Sequence, residues 1–500
     1  VNCAARKREE AHALVSLVRK ITVPFIRQLG VLGTLILVGA CATNPVSGRS
    51  ELSLVSKSQE IEMGKQASAG DLQRVGEYPD AALQQMVRSI GKQISSHSER
   101  PDLPWEFHLL DDAAVNAFAY PGGFIFVTRG LLSHINSEAE LAEVVGHEIG
   151  HVTAKHTVTA MSRQQLAQIG LVAGSVLSSR VAQYGDLLNT GASLLFLKFG
   201  RDDENQADAL GFRYSLEQGY DVRESVKLFN MLGRLSGEAG SRVPEWQSTH
   251  PDPGNRVQSD EARLQKLQPA QLTGLKINRD VYLRRLNGMI FGENPRLGYF
   301  ASNRFLHPDL RFQIDFPAGW SKANMPDAVV AQSQDKAAQF QLLPATGSPA
   351  SVIQEFVKQQ GITVRQSGTT NINGLAAATA EFEAATDQGS LYGIATSVQL
   401  NGQTYLMLGI MATQAANTYA STVLATMRSF RQLTDPAAIN VQPARIEIVT
   451  LPTEMSGNVF VKRYPSTVPD EEIYIINGID AGTNVKAGSL LKRVVGGVRN

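Results

Sequence analysis

The 500-residue sequence has only two cysteines, Cys3 and Cys41, so no disulfide framework holds it together and stability must come from packed cores. It has no excess of either charge, with 47 Lys and Arg against 47 Asp and Glu, which removes the bulk electrostatic attraction that binding nucleic acid draws on. No Gly-rich phosphate loop, no RNA-binding aromatic motif and no self-similar period is visible, which argues against a nucleotide-binding chain and against a helical repeat array in the carboxyl half. Apolar runs stop short of a comfortable membrane span. With 43% apolar and 19% charged residues the chain still reads as folded, and its length suits about two to four domains.

The first forty residues differ from the rest. Arg6, Lys7, Arg8, Arg19, Lys20 and Arg27 face only Glu9 and Glu10, and the apolar "VLGTLILVGA" then leads to Cys41. A basic lead, a short apolar core and small residues before a cleavage point describe an export signal over 1–40. "VGAC" resembles a bacterial lipobox, which implies lipidation at Cys41; Ala42, not aspartate, follows, which in that resemblance favours the outer membrane, facing the periplasm. Residues 41–60 are polar and turn-rich, as expected of a tether.

"WEFHLLDD" and "GGFIFVTRGLL" read as strands, the second entering a helix. Ser137 followed by Glu140 forms a capping box ahead of the run "ELAEVVGHEIGHVTAKH". On that helix His147 and His151, four apart, share one face about 6 Å apart along the axis, so each can give a ring nitrogen to one zinc ion. Glu148 is offset by about 100° and flanks the metal, where its carboxylate can take a proton from water. A solvated charged helix is the plain alternative. The metzincin pattern is excluded, since Ala154 and Thr157 stand where Gly and His are needed; His156, about 140° round the helix from His151, is expected to point elsewhere.

A catalytic zinc needs a third ligand. Glu204 in "RDDENQADALG" is the candidate, and Asp208, one turn later on the same face, can accept the other ring N–H of a liganding histidine. The alternative for both is an acidic helix start.

"HEIGH" with "ENQAD", preceded by "NAFAYPGGFIFVTRGLL" and followed by "STHPDPGNR", resembles the zinc metallopeptidase family of HtpX, BepA and the CAAX prenyl proteases; "CATNPVSGRSELSLVS" is similar to its bacterial lipoprotein members. The resemblance implies a gluzincin-type fold over 61–265, one zinc ion and endopeptidase activity. It also implies that Asn116, Ala117, Phe118 and Ala119 form the strand edge along which substrate lies. His250 would sit near the zinc, steadying an oxyanion or capping a resting metal, and Arg256 would support that loop or a peptide carbonyl.

The whole is expected to be α+β: a mainly helical protease domain with a small sheet, a linker over 266–304, an α+β sandwich over 305–433 faintly similar to PsbP/DcrB-like domains, and a small module over 445–500 resembling LysM. The favoured reading is an envelope protease acting on misfolded or misassembled proteins, with membrane contact through a lipid anchor and peptidoglycan contact through the last module. A non-catalytic chaperone or cell-wall adaptor with a capped zinc is the competing one.

Overall fold

The computed structural model describes residues 41–164, 199–238, 246, 250, 253–386 and 389–497. The leader lies outside these residues, as does nearly all of "QLAQIGLVAGSVLSSRVAQ" and "LLNTGASLLFLKFG", whose apolar runs broken by Gln, Ser and Arg read as a packed helical hairpin. The chain is α+β, with a largely helical amino-terminal half built on a small sheet and a strand-rich carboxyl half.

Strands β1 (Cys41–Thr43) and β2 (Ser50–Leu52) form an antiparallel hairpin, followed by helices α1 (Lys57–Arg74) and α2 (Ala81–Ser95). The stretch expected as a tether is therefore folded. Asn44 is buried and donates to Glu51 at 2.9 Å and to the Ala154 carbonyl at 3.1 Å, while the Leu54 amide donates to Ser162 Oγ. Turn-rich polar composition looks the same whether those groups bond to water or to their own domain.

The small sheet holds β3 (Glu106–Leu110), β4 (Ala117–Tyr120) and β5 (Phe124–Thr128) in the order β3-β5-β4. All five residues of β5 are buried, as a central strand requires, and β4 is an edge. Helices α3 (Arg129–His134) and α4 (Glu138–Thr153) follow, and every residue of α4 is buried. Ser137 caps α4 by accepting from the Glu140 amide at 3.1 Å. The reciprocal bond is displaced by one residue from the expected box: Glu140 accepts from the Asn136 amide at 3.0 Å. Helices α5 (Arg201–Glu217), α6 (Glu224–Glu238) and α7 (Pro253–Leu264) complete this half.

Residues 266–304 are not a simple linker. Tyr282, Leu283 and Leu286 are fully buried, and the Tyr282 hydroxyl donates to the Leu132 carbonyl at 2.7 Å. Three apolar positions on a helix of two turns are too short a pattern to stand out in the sequence.

In the carboxyl half a seven-stranded antiparallel sheet and a four-stranded sheet share a core of Phe305, Phe312, Phe340, Met407 and Phe430 with the helix Ala416–Arg428. Asn401 and Gly402 have φ of 51° and 80°, as a type I′ hairpin requires. The last segment pairs Ala444–Thr450 with Leu490–Gly496 around two short helices. It does not stand apart: Ile446, Phe460, Ile476 and Val494 share one core with Leu131, Leu141 and Leu232.

Candidate metal centre

The centre exists because α4 and α5 touch backbone to backbone. Gly146 and Gly150 on α4 face Gly211 and Ala207 on α5; a Cβ added to Gly146 would stand 3.1 Å from the Gly211 Cα. Without side chains between them, the short carboxylates of α5 reach the imidazoles of α4.

His147 Nε2 and His151 Nε2 lie 3.0 Å apart. Glu204 places Oε2 3.6 Å from the first and Oε1 3.4 Å from the second. His250 joins them, its Nδ1 3.3 Å from His147 Nε2 and 2.9 Å from Glu204 Oε1. The ligand atoms of these four buried side chains all lie within 4.8 Å of one another.

The far side of each imidazole is held as well. His147 Nδ1 faces Asp208 Oδ1 at 2.9 Å, and Asp208 receives Arg256 Nε at 2.9 Å together with Arg256 Nη2. The Arg256 guanidinium lies over the Phe229 ring, 4.3 Å from its centroid, so its place is fixed by packing as much as by charge. His151 Nδ1 faces His156 Nδ1 at 2.9 Å. The ring of Trp246 stacks on His250 and that of Phe199 on His151, with centroids 4.3 and 4.2 Å apart.

Burial sets the electrostatics. It pushes the His147 imidazolium down to about 3, against the pull of Asp208, so this ring is neutral and free to ligate. It pushes Glu148 up to about 7, with His151 opposing and the Glu204 charge assisting. Burial also acts to raise Glu204 and Asp208, but His250 and His151 beside the first, and Arg256 and His147 beside the second, hold both well below the ordinary carboxylate range.

The donor set fits a zinc ion. Asp208 keeps the His147 proton on Nδ1, so Nε2 presents a lone pair; a second imidazole nitrogen and an ionised carboxylate converge on the same point. Glu148, buried beside them, has an Oε1 with no hydrogen-bond partner among the described residues, 3.6 Å from His250 Nε2.

The structure thus brings together His147, His151, Glu204, Asp208, His250 and Arg256, with Glu148 alongside. Asn116, Ala117, Phe118 and Ala119 lie at and just before β4, which packs on α4. Cys41 lies opposite Leu52 in the β1–β2 hairpin. His156, Phe199 and Trp246 were not legible as parts of the centre. The helical count that sent His156 elsewhere fails because α4 ends at Thr153 and Lys155 turns left-handed, with φ of 60°.

Residues 81–263 match the family described as Peptidase family M48. The beta-barrel assembly-enhancing protease of Escherichia coli is 29% identical over 305 residues, 58% of either chain. The mitochondrial metalloendopeptidase OMA1 of Arabidopsis thaliana is 34% identical over 174 residues, 34% of either chain, and that of Schizosaccharomyces pombe 31% over 233 residues, 45% of this chain and 66% of that one. The chain thus spans under three fifths of the length of the beta-barrel assembly-enhancing protease it matches.

Proposed function

Because residues 81–263 match peptidase family M48, we propose that the chain is a zinc-dependent endopeptidase of the bacterial cell envelope that degrades misfolded or misassembled proteins. The observation that carries this reading is the convergence of His147, His151, Glu204 and His250 within 4.8 Å, with Glu148 buried beside them. A relative named as a beta-barrel assembly-enhancing protease supports a protein substrate. The lipobox-like "VGAC" supports lipidation at Cys41 and an outer-membrane lipoprotein facing the periplasm.

His147, His151 and Glu204 would hold the ion. Zinc supplies Lewis acidity, which acidifies water and polarises a peptide carbonyl. Glu148 removes the proton of the attacking water and returns it to the departing amine; its burial favours a base poised near neutrality. Asp208 keeps the His147 proton on Nδ1, and Arg256 keeps Asp208 ionised and in place. The side of β4 that pairs with no strand among the described residues accepts an extended peptide through main-chain hydrogen bonds, which asks little of its sequence and suits unfolded substrates.

A second reading rests on His250. Its Nδ1 offers a fourth donor beside the other three, so the same centre also fits a resting, capped metal. Glycan contact through 445–500 forms no part of the proposal, because that segment spends its apolar residues on the shared core.

The test is digestion of unfolded casein by the full chain. Zinc-dependent cleavage, lost on chelation and restored by zinc, is the expected result. Digestion that survives a chelator, or no digestion by either the parent or a His250→Ala variant, overturns the reading.

A further inference from the structure

We propose that His156 is a positioning residue of the metal centre: a neutral imidazole that accepts the Nδ1 proton of His151 at 2.9 Å and is anchored through Nε2 to Gln206 Oε1 at 2.9 Å. The inference rests on the zinc reading of the centre and adds to it the device that orients the second histidine.

The proton count leads there. A histidine that gives Nε2 to a metal carries its proton on Nδ1 and needs an acceptor for it. For His147 that acceptor is the Asp208 carboxylate. For His151 it is another imidazole, whose Nδ1 accepts only when its own proton sits on Nε2. That Nε2–H then requires an acceptor in turn, and the Gln206 amide oxygen is in place. The Asp203 carboxylate stands 3.9 Å from the same nitrogen, beyond hydrogen-bond reach, so a neutral amide terminates the chain.

Backbone structure delivers His156 to this position. The left-handed turn at Lys155 breaks α4 and swings the next residue back beneath His151, and Asn44 fastens the turn by donating to the Ala154 carbonyl at 3.1 Å. His156 is buried there, 3% exposed. One helix, α5, then serves both imidazoles: Glu204 as ligand, Asp208 behind His147, and Gln206 behind the partner of His151. The two ligands are not equivalent, since His147 leans on a charge and His151 on a neutral ring.

The experiment measures zinc affinity of the metal-stripped full chain by competition with a chromophoric chelator, and the absorption bands of the cobalt-substituted protein. His156→Ala and His156→Leu are expected to weaken zinc binding about 10- to 100-fold and to shift the cobalt bands. His156→Gln, which keeps a hydrogen-bond acceptor, is expected to recover most of the affinity. A Leu variant that binds as well as the Gln variant would assign His156 to packing and overturn the proposal, as would parental affinity in the Ala variant. If the parent binds no zinc and His147→Ala changes nothing, the metal reading itself fails, a result distinct from either.

Discussion

Gly211 on α5 lies against the backbone of His147 on α4: a methyl group on its Cα would stand 2.9 Å from the His147 amide nitrogen and 3.0 Å from Glu143 Oε1. In an open helix position, replacing glycine by alanine stabilises by about 1 kcal/mol. Here the clash is with backbone, which cannot swing aside, and overpacking of this kind costs about 1–3 kcal/mol. Gly211→Ala is therefore expected to lower the melting temperature and to weaken zinc binding, because parting the helices separates Glu204 from His147 and His151. Gly233→Ala on α6, where a Cβ meets no described residue within 4 Å, is expected to do neither. Thermal unfolding and zinc titration of the two variants check the pair.

Glu148→Gln separates holding the metal from using it. Among the described residues Glu148 Oε1 has no hydrogen-bond partner, and Glu148 stands outside the four-residue ligand group. The variant is expected to keep one zinc per chain and to lose about 10²- to 10⁴-fold in casein hydrolysis, the range a general base contributes. Zinc content by mass spectrometry alongside the digestion rate decides it; an unchanged rate removes Glu148 from the chemistry.

Much of the centre was legible because its chemistry demands a spacing. His147 and His151 must be four apart to face one point from a helix, and Glu204 and Asp208 must be four apart to serve them from another. Asn401-Gly402 in "SVQLNGQTYLMLGIM" reads as a tight hairpin for a similar reason, since few residues accept the backbone it needs. What stayed hidden depends on contacts between distant segments. His156 was misplaced because a single left-handed residue, Lys155, invalidates a helical count, and no letter of the sequence forces lysine into that conformation. The burial of Tyr282 and of the 444–496 segment was hidden because an apolar pattern shows that a face is covered, not which element covers it.

His250 makes opposite predictions under its two roles, and its position favours the capping one. Its Nδ1 lies 2.9 Å from Glu204 Oε1 and 3.3 Å from His147 Nε2, among the ligand atoms rather than beyond them. Four protein donors close a tetrahedral ion, whereas catalysis needs a free corner. His250→Ala is therefore expected to bind zinc more weakly and yet to digest casein faster than the parent at saturating zinc. A rate that falls at saturating zinc would instead make His250 a contributor to hydrolysis.

Lys492 decides whether the last segment is a separate module. Its side-chain nitrogen is buried and donates to the Ser133 carbonyl at 2.8 Å and the Ile135 carbonyl at 2.9 Å, in the last turn of α3 and at its C-cap. Lys492→Met fills much of the same volume but leaves two buried carbonyls without this donor, at about 1–3 kcal/mol each. Because Val494 and Ile476 share a core with Leu131 and Leu141, the loss is expected to reach the metal centre through α4. Calorimetry should then show the transition that carries the zinc site moving to lower temperature, and deletion of residues 444–500 should yield no soluble zinc-binding chain. An independent module would behave otherwise: its own transition would shift alone, and the truncated chain would bind zinc and melt like the parent.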